Sequence, residues 1–253
     1  MIFRRMSERY IKKALKGTEY EISVKRTLTS TNALMKEAAV KGGKEFSVII
    51  AEEQTAGRGR MGRSFYSPKN SGVYLSVLLR PQMNKNALLI TTDAAVCCCR
   101  VFEKMTGQET RIKWVNDIYM DNKKVCGILT EGGETYAVLG IGINVTPPSG
   151  GFPEDIKDRA GAVFKRKELR LRENTVIEFL KEFMNIYINA EREEYFKEYK
   201  ERSLVIGREI EIIKNTTTEK AVVLGLNKDY SLLVRKENGE TESLSSGDVR
   251  IKI

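Results

Sequence analysis

The stretch Gly57-Arg58-Gly59-Arg60-Met61-Gly62-Arg63 puts three guanidinium groups and three glycines into seven residues. Glycine lets the backbone take positive φ and approach a ligand closely. Guanidinium groups pair in a planar fork with phosphate or carboxylate oxygens. The chemistry this favours is the holding of an anion. The stretch is neither a Walker A loop, which needs Gly-Lys-Ser/Thr, nor a Rossmann fingerprint. A solvated basic loop or an RNA-binding arginine–glycine segment has a similar composition. Lys113 is a second candidate. In Arg111-Ile112-Lys113-Trp114, strand alternation puts Ile112 and Trp114 on one face and Arg111 and Lys113 on the other. A strand lysine is usually a surface residue, but this one opens the string Lys-Trp-Val-Asn-Asp at 113–117. The chain has no histidine, which removes the commonest general base, many metal sites and every Ser–His triad.

Cys97, Cys98 and Cys99 are contiguous and Cys126 stands apart, so no C-x-x-C spacing for zinc exists. The four read as reduced thiols used as small apolar residues in a cytoplasmic protein. The net charge of +9 is uneven: residues 203–253 hold eight basic and eight acidic residues, whereas residues 1–16 hold six basic residues against Glu8. Ile2, Phe3, Met6 and Tyr10 have amphipathic-helix spacing, so this basic end reads as a solvated helix face. The remaining excess can steer phosphates or an acidic partner. With no apolar run of about 18 residues and no secretory signal, a soluble protein with no membrane partner is expected.

The elements that must position these residues follow from periodicity. Strands are expected at 20–28, 46–51 and 72–79, with helices at 33–41 and 86–105. Thr31 or Asn32 is the expected cap of the first of these helices. Three further strands, at 111–114, 124–131 and 136–145, should form an antiparallel meander. A long helix is expected at 174–201, followed by short strands that form a small barrel. Residues 57–63 should lack regular structure. The class is α+β with a small all-β unit attached.

Taken in order, these segments resemble one family. Ser30-Thr31-Asn32, AEEQTAGRGRMGR at 51–63, YSPKNSGVYLSVLLRP at 66–81, KWVND at 113–117, KKVCGILTE at 123–131 and GIGINV at 140–145 occur as in biotin–protein ligases. Ile206-Gly207-Arg208, Asn227 with Asp229, and Ser246-Gly247-Asp248-Val249 resemble turns of that family's C-terminal domain. The resemblance implies a class II aminoacyl-tRNA synthetase-like ligase fold: a mixed, largely antiparallel sheet with flanking helices plus an SH3-like β-barrel. The catalytic domain would be 1–202 and the SH3-like domain 203–253. It implies activation of biotin by ATP with Mg²⁺ and transfer to a lysine of a biotin carboxyl carrier protein.

Under this resemblance Ser30, Thr31, Asn32 and Gln54 would bind the biotin head, and Gly127 and Leu129 would wall its ring. Arg58, Gly59, Arg60 and Lys113 would hold the carboxylate and α-phosphate. Arg58, Arg60, Phe65, Lys113, Asn116 and Asn144 would meet the nucleotide. No protein-held metal is implied. Val115 stands where the family usually has proline, and Phe65 where it usually has tryptophan, so weaker stacking on the intermediate is expected. No winged helix-turn-helix precedes Ser30, which reads as the ligase-only type without specific DNA binding; a homodimer is allowed. A lipoate–protein ligase or octanoyltransferase shares the fold but relies on a histidine. A basic RNA-binding module would need aromatic residues among the arginines, where only Phe65 and Tyr66 are near.

Overall fold

The computed structural model describes residues 5–81, 87–133, 135–189, 192–214, 217–245 and 248–251. In chain order the elements are α1 (Glu8–Ala14), β1 (Glu21–Lys25), α2 (Thr31–Val40), β2 (Ser47–Ala51), β3 (Gly72–Leu79), α3 (Ala87–Thr106), β4 (Arg111–Lys113), β5 (Asp117–Met120), β6 (Lys123–Gly132) and β7 (Ala137–Asn144). Then come α4 (Leu171–Asn189), α5 (Arg192–Glu201), β8 (Glu209–Lys214), β9 (Thr217–Leu226), β10 (Leu232–Lys236), β11 (Thr241–Leu244) and β12 (Asp248–Arg250).

Seven strands form one sheet in the order β1-β2-β3-β7-β6-β5-β4. β1 and β2 run parallel and the other neighbours antiparallel. The two faces of this sheet differ in composition. Val73, Leu75, Val77, Leu139, Ile141 and Ile143 join the main core, into which α3 sends its cysteines and α4 sends Phe179 and Phe183. The opposite face is covered in part by α2, where Met35 and Ala39 pack on Leu78 and Val138. All eight residues of β3 are buried, which explains why its sequence reads as a nearly unbroken apolar run. The cysteines are free and fully buried, with Cys98 Sγ 3.9 Å from Cys126 Sγ. Burial pushes the Cys99 thiol up to about 12, as expected for packing residues.

The second sheet is antiparallel, in the order β11-β10-β9-β8-β12, and fits an SH3-like domain. It is joined to the first through residues 202–204, which bond to the outer edge of β4: Ile112 N donates to Arg202 O and Leu204 N to Ile112 O, both at 2.8 Å. No described helix is long and apolar enough to cross a membrane.

Several expectations need correction. Ser30 caps α2, its Oγ accepting from Ala33 N at 3.4 Å, and Thr31 and Asn32 are already helical. Residues 117–120, between the strands expected at 111–114 and 124–131, form a further strand, β5. The Gly-Arg stretch contains a short 3-10 turn, Arg60–Gly62. The helix expected over 174–201 is described as α4 and α5, and residues 190–191 between them lie outside the described residues. So do Ile2 and Phe3 of the N-terminal pattern, and Ser246 and Gly247 of the final turn. The Trp114–Val115 peptide bond is cis.

Candidate active site

Antiparallel register builds a floor on the face that α2 partly covers. Ser76, Gly140 and Leu129 align in one row across β3, β7 and β6. Tyr74, Gly142, Gly127, Asp117 and Lys113 align in the next, out to the edge strand β4. Opposed residues project to the same face. The glycines leave that face low enough for other side chains to lie on it. A Cβ on Gly140 would stand 2.0 Å from Asn32 Oδ1, and one on Gly142 would stand 2.5 Å from the Phe65 ring.

One end of the cleft is rich in hydrogen-bonding side chains. The N-terminus of α2 brings Thr31 and Asn32 over the floor, both 4% exposed. Gln54 Oε1 accepts from Thr31 N at 2.8 Å and Thr31 Oγ1 at 3.1 Å, while its Nε2 donates to Ser67 Oγ at 3.0 Å. Ser76 Oγ lies 2.6 Å from Asn32 Oδ1 and 2.8 Å from Thr31 Oγ1. Asn32 Nδ2 donates to Glu131 Oε2 at 2.9 Å and Leu129 O at 3.2 Å. Glu131 also pairs with Lys36 at 2.9 Å. Burial pushes the Glu131 carboxyl up, but the bonds from Asn32 and Lys36 outweigh it and hold the group below its ordinary value.

The other end is cationic. The Gly-Arg loop doubles back on itself: Phe65 N donates to Gly57 O at 2.9 Å and Gly59 N to Arg63 O at 2.7 Å. Met61 and Gly62 take φ of 54° and 73° at the tip. Arg60 Nη1 donates to Asn116 Oδ1 at 3.4 Å, and Asn116 Nδ2 donates to Ile128 O at 2.7 Å. Lys124 joins the arginines from β6, its Nζ 2.7 Å from Asp117 Oδ1 and 5.9 Å from the Phe65 ring centre. Simple alternation from Gly127 would turn Lys124 to the other face. However, Ile118 pairs with Cys126 and Tyr119 with Lys124, which leaves Val125 as a bulge. The extra residue shifts the alternation by one and brings Lys124 onto the floor side.

The family model described as the biotin/lipoate A/B protein ligase family matches residues 23–146. A bifunctional ligase/repressor BirA from Bacillus spizizenii is 36% identical over 176 residues, covering 62% of this chain and 54% of the relative. The chain thus spans about half the length of that relative. A biotin–[acetyl-CoA-carboxylase] ligase from Mycobacterium tuberculosis is 29% identical over 229 residues, covering 87% and 85%. Among solved structures, the biotin protein ligase from Aquifex aeolicus in complex with biotin and ATP superposes with a TM-score of 0.78 at 26% identity, covering 92% of this chain and 98% of that one. Over residues 23–146 the chain belongs to the biotin/lipoate A/B protein ligase family. Within that family it groups with the biotin–protein ligases.

Of the positions that the resemblance to biotin–protein ligases singled out, eleven line the one cleft: Ser30, Thr31, Asn32, Gln54, Arg58, Gly59, Arg60, Phe65, Asn116, Gly127 and Leu129. Two do not. Lys113 shares the floor row but stands on β4, a strand beyond Asp117. Asn144 follows Gly142 on the same face, and its Nδ2 donates to Gly161 O at 2.9 Å, tying down the segment after β7. Lys124, Ser67, Ser76 and Glu131 were not anticipated as parts of the site. Ser76 had a signal, a lone serine inside the apolar run of β3. Lys124 had none, because the bulge that turns it inward leaves no mark in the residue pattern.

Proposed function

We propose that this chain activates biotin with ATP as biotinyl-5′-adenylate and transfers the biotin to a lysine of a biotin carboxyl carrier protein. One observation carries the reading: a single cleft has a hydrogen-bonding end, where Glu131 and Lys36 pair with each other, and a cationic end, separated by a glycine floor. Biotin has the matching polarity, a urea at one end and a carboxylate at the other. Ser30, Thr31 and Gln54 serve the urea, with Asn32 held in place by Ser76 and Glu131. Gly127 and Leu129 flank the rings. Arg58, Gly59, Arg60 and Lys124 serve the carboxylate and α-phosphate, and Lys124 takes the part first assigned to Lys113. Phe65 and Asn116 flank the nucleotide. Asn144, engaged with Gly161, is left out of this assignment.

The first step needs no general base, because a carboxylate is already ionised at neutral pH. Its oxygen attacks the α-phosphorus, a mixed anhydride forms, and pyrophosphate leaves. Both partners are anionic, so preorganised cations are the main requirement. Mg²⁺ enters as part of the ATP substrate. Among the described residues no three of His, Cys, Asp or Glu gather to hold a metal of their own. In the second step the carrier lysine attacks the acyl carbon, an amide forms, AMP leaves, and the amine proton passes to solvent. Asp117 stands at this end of the cleft, but its carboxylate is engaged by Lys124.

We assign residues 1–202 to catalysis and 203–253 to an SH3-like domain. The basic excess is assigned to phosphate-bearing substrates and carrier steering rather than to specific DNA recognition. Lipoate suits the cleft less well: its dithiolane has no urea to exchange hydrogen bonds with Ser30, Thr31 and Gln54. Mass spectrometry of an isolated carrier domain, incubated with enzyme, Mg-ATP and either acid, tests the proposal. Biotin should be found on one lysine. An unmodified carrier, or modification by lipoate instead, would refute it.

A further inference from the structure

The Trp114–Asp117 turn is gripped from outside its own sheet. The Trp114 indole N–H donates to Tyr230 O at 2.9 Å, and the Tyr199 hydroxyl donates to Val115 O at 3.0 Å. Both donors are buried. Tyr199 belongs to α5, and Tyr230 to the turn between β9 and β10. Their rings meet edge to face at 5.4 Å, and Phe196 packs on Tyr230 at 5.2 Å. Asn227 and Asp229 shape that turn. Asn227 Nδ2 donates to Ser231 Oγ at 2.9 Å and Ser243 Oγ at 3.0 Å, and Asp229 Oδ1 accepts from Ser231 N at 3.0 Å. Tyr230 takes a φ of 63° within it, a left-handed conformation that few aromatic residues adopt.

The same turn reaches into the cleft on its other side. Asn116 accepts from Arg60, and Asp117 pairs with Lys124. Four consecutive residues are therefore held by α5 and the second sheet while they hold two cations of the site.

We propose that Tyr199 and Trp114 are positioning residues for adenylate formation. Through the Val115 carbonyl and the Tyr230 turn, they fix where Asn116 and Asp117 place Arg60 and Lys124. The inference rests on the adenylate-forming reading of the cleft. Cations that stabilise a developing charge act only from a preorganised position, and small displacements are costly in rate. The urea-binding end hangs on α2 and Gln54, outside this grip, so turnover and biotin binding should separate.

Biotin-dependent pyrophosphate release, with excess carrier domain present to discharge the adenylate, tests this on the full chain, with rates expressed per folded molecule from circular dichroism. The variants are Tyr199→Phe, Trp114→Phe and, as a control, Tyr195→Phe, a buried α5 tyrosine that packs under Arg100. In Tyr199→Phe and Trp114→Phe, kcat should fall about tenfold while KM for biotin moves less than about threefold. Tyr195→Phe should keep the wild-type kcat. Trp114 is the chain's only tryptophan, so its emission should shift to longer wavelength in Tyr199→Phe. If Trp114→Phe does not fold, Tyr199→Phe, which removes a single oxygen, decides alone. A Tyr199→Phe enzyme with wild-type kcat per folded molecule, or a loss matched by Tyr195→Phe, overturns the inference and leaves the proposed function standing. A wild-type chain that releases no pyrophosphate overturns the proposed function, and this inference with it.

Discussion

Lys124 reaches the cleft because Val125 bulges out of β6, whereas Lys113 stays on the edge strand, paired with Asp117 in regular register. If the cation nearest the reacting carboxylate matters most, Lys124→Ala should lower adenylate formation by about 10²–10³, the usual cost of losing one transition-state donor. Lys113→Ala should cost less than about tenfold by the same reasoning. Single-turnover rates of the two purified variants check this, and the reverse order would return the role to Lys113. Glu131 gives a pH test at the same scale. Its folded pKa is lowered, so its contribution is complete above the ordinary value of 4.5 and is lost as pH falls through the lower folded value. Thermal stability of the wild type should therefore exceed that of Glu131→Gln at neutral pH, and the gap should close in acid. A gap that does not change with pH would mean that the Asn32 and Lys36 bonds do not depend on the charge.

The loop of residues 57–66 carries three like charges on a glycine-rich backbone, so an anionic ligand should order it further. Trypsin cleavage at Arg58, Arg60 and Arg63 should be fast in the free protein and slow with biotin plus Mg-ATP. Equal rates with and without ligand would show a preformed loop. Other elements were legible in the sequence for clear reasons. β3, β7 and α3 declare themselves by long apolar runs, and the Gly-Ile-Gly-Ile-Asn stretch by glycines where a strand should have side chains. β5 was hidden because Asn116-Asp117 has turn composition and the strand has only four residues. The α2 cap was ambiguous because Ser30, Thr31 and Asn32 are all capping types, and only the extended backbone of Ser30 selects it. The site was legible as a set of motifs. It was not legible as an arrangement, since the bulge and the cross-strand rows arise from pairing between distant segments.

At the scale of the molecule, the sequence marked the neutral C-terminal stretch as a separate unit, and it folds as its own sheet. What it could not reveal is that this unit, with α5, grips the turn next to the cleft, because those contacts join residues more than eighty positions apart. The basic excess lies on the larger part of the chain, where it can steer an anionic ligand. The central claim is that the polar end of the cleft selects a urea and the cationic end activates a carboxylate. Incubating the chain with Mg-ATP and either radiolabelled biotin or radiolabelled lipoate tests both halves at once. The account predicts a labelled adenylate from biotin, retained by the protein, and none from lipoate. No adenylate from biotin, or equal amounts from both acids, would contradict it.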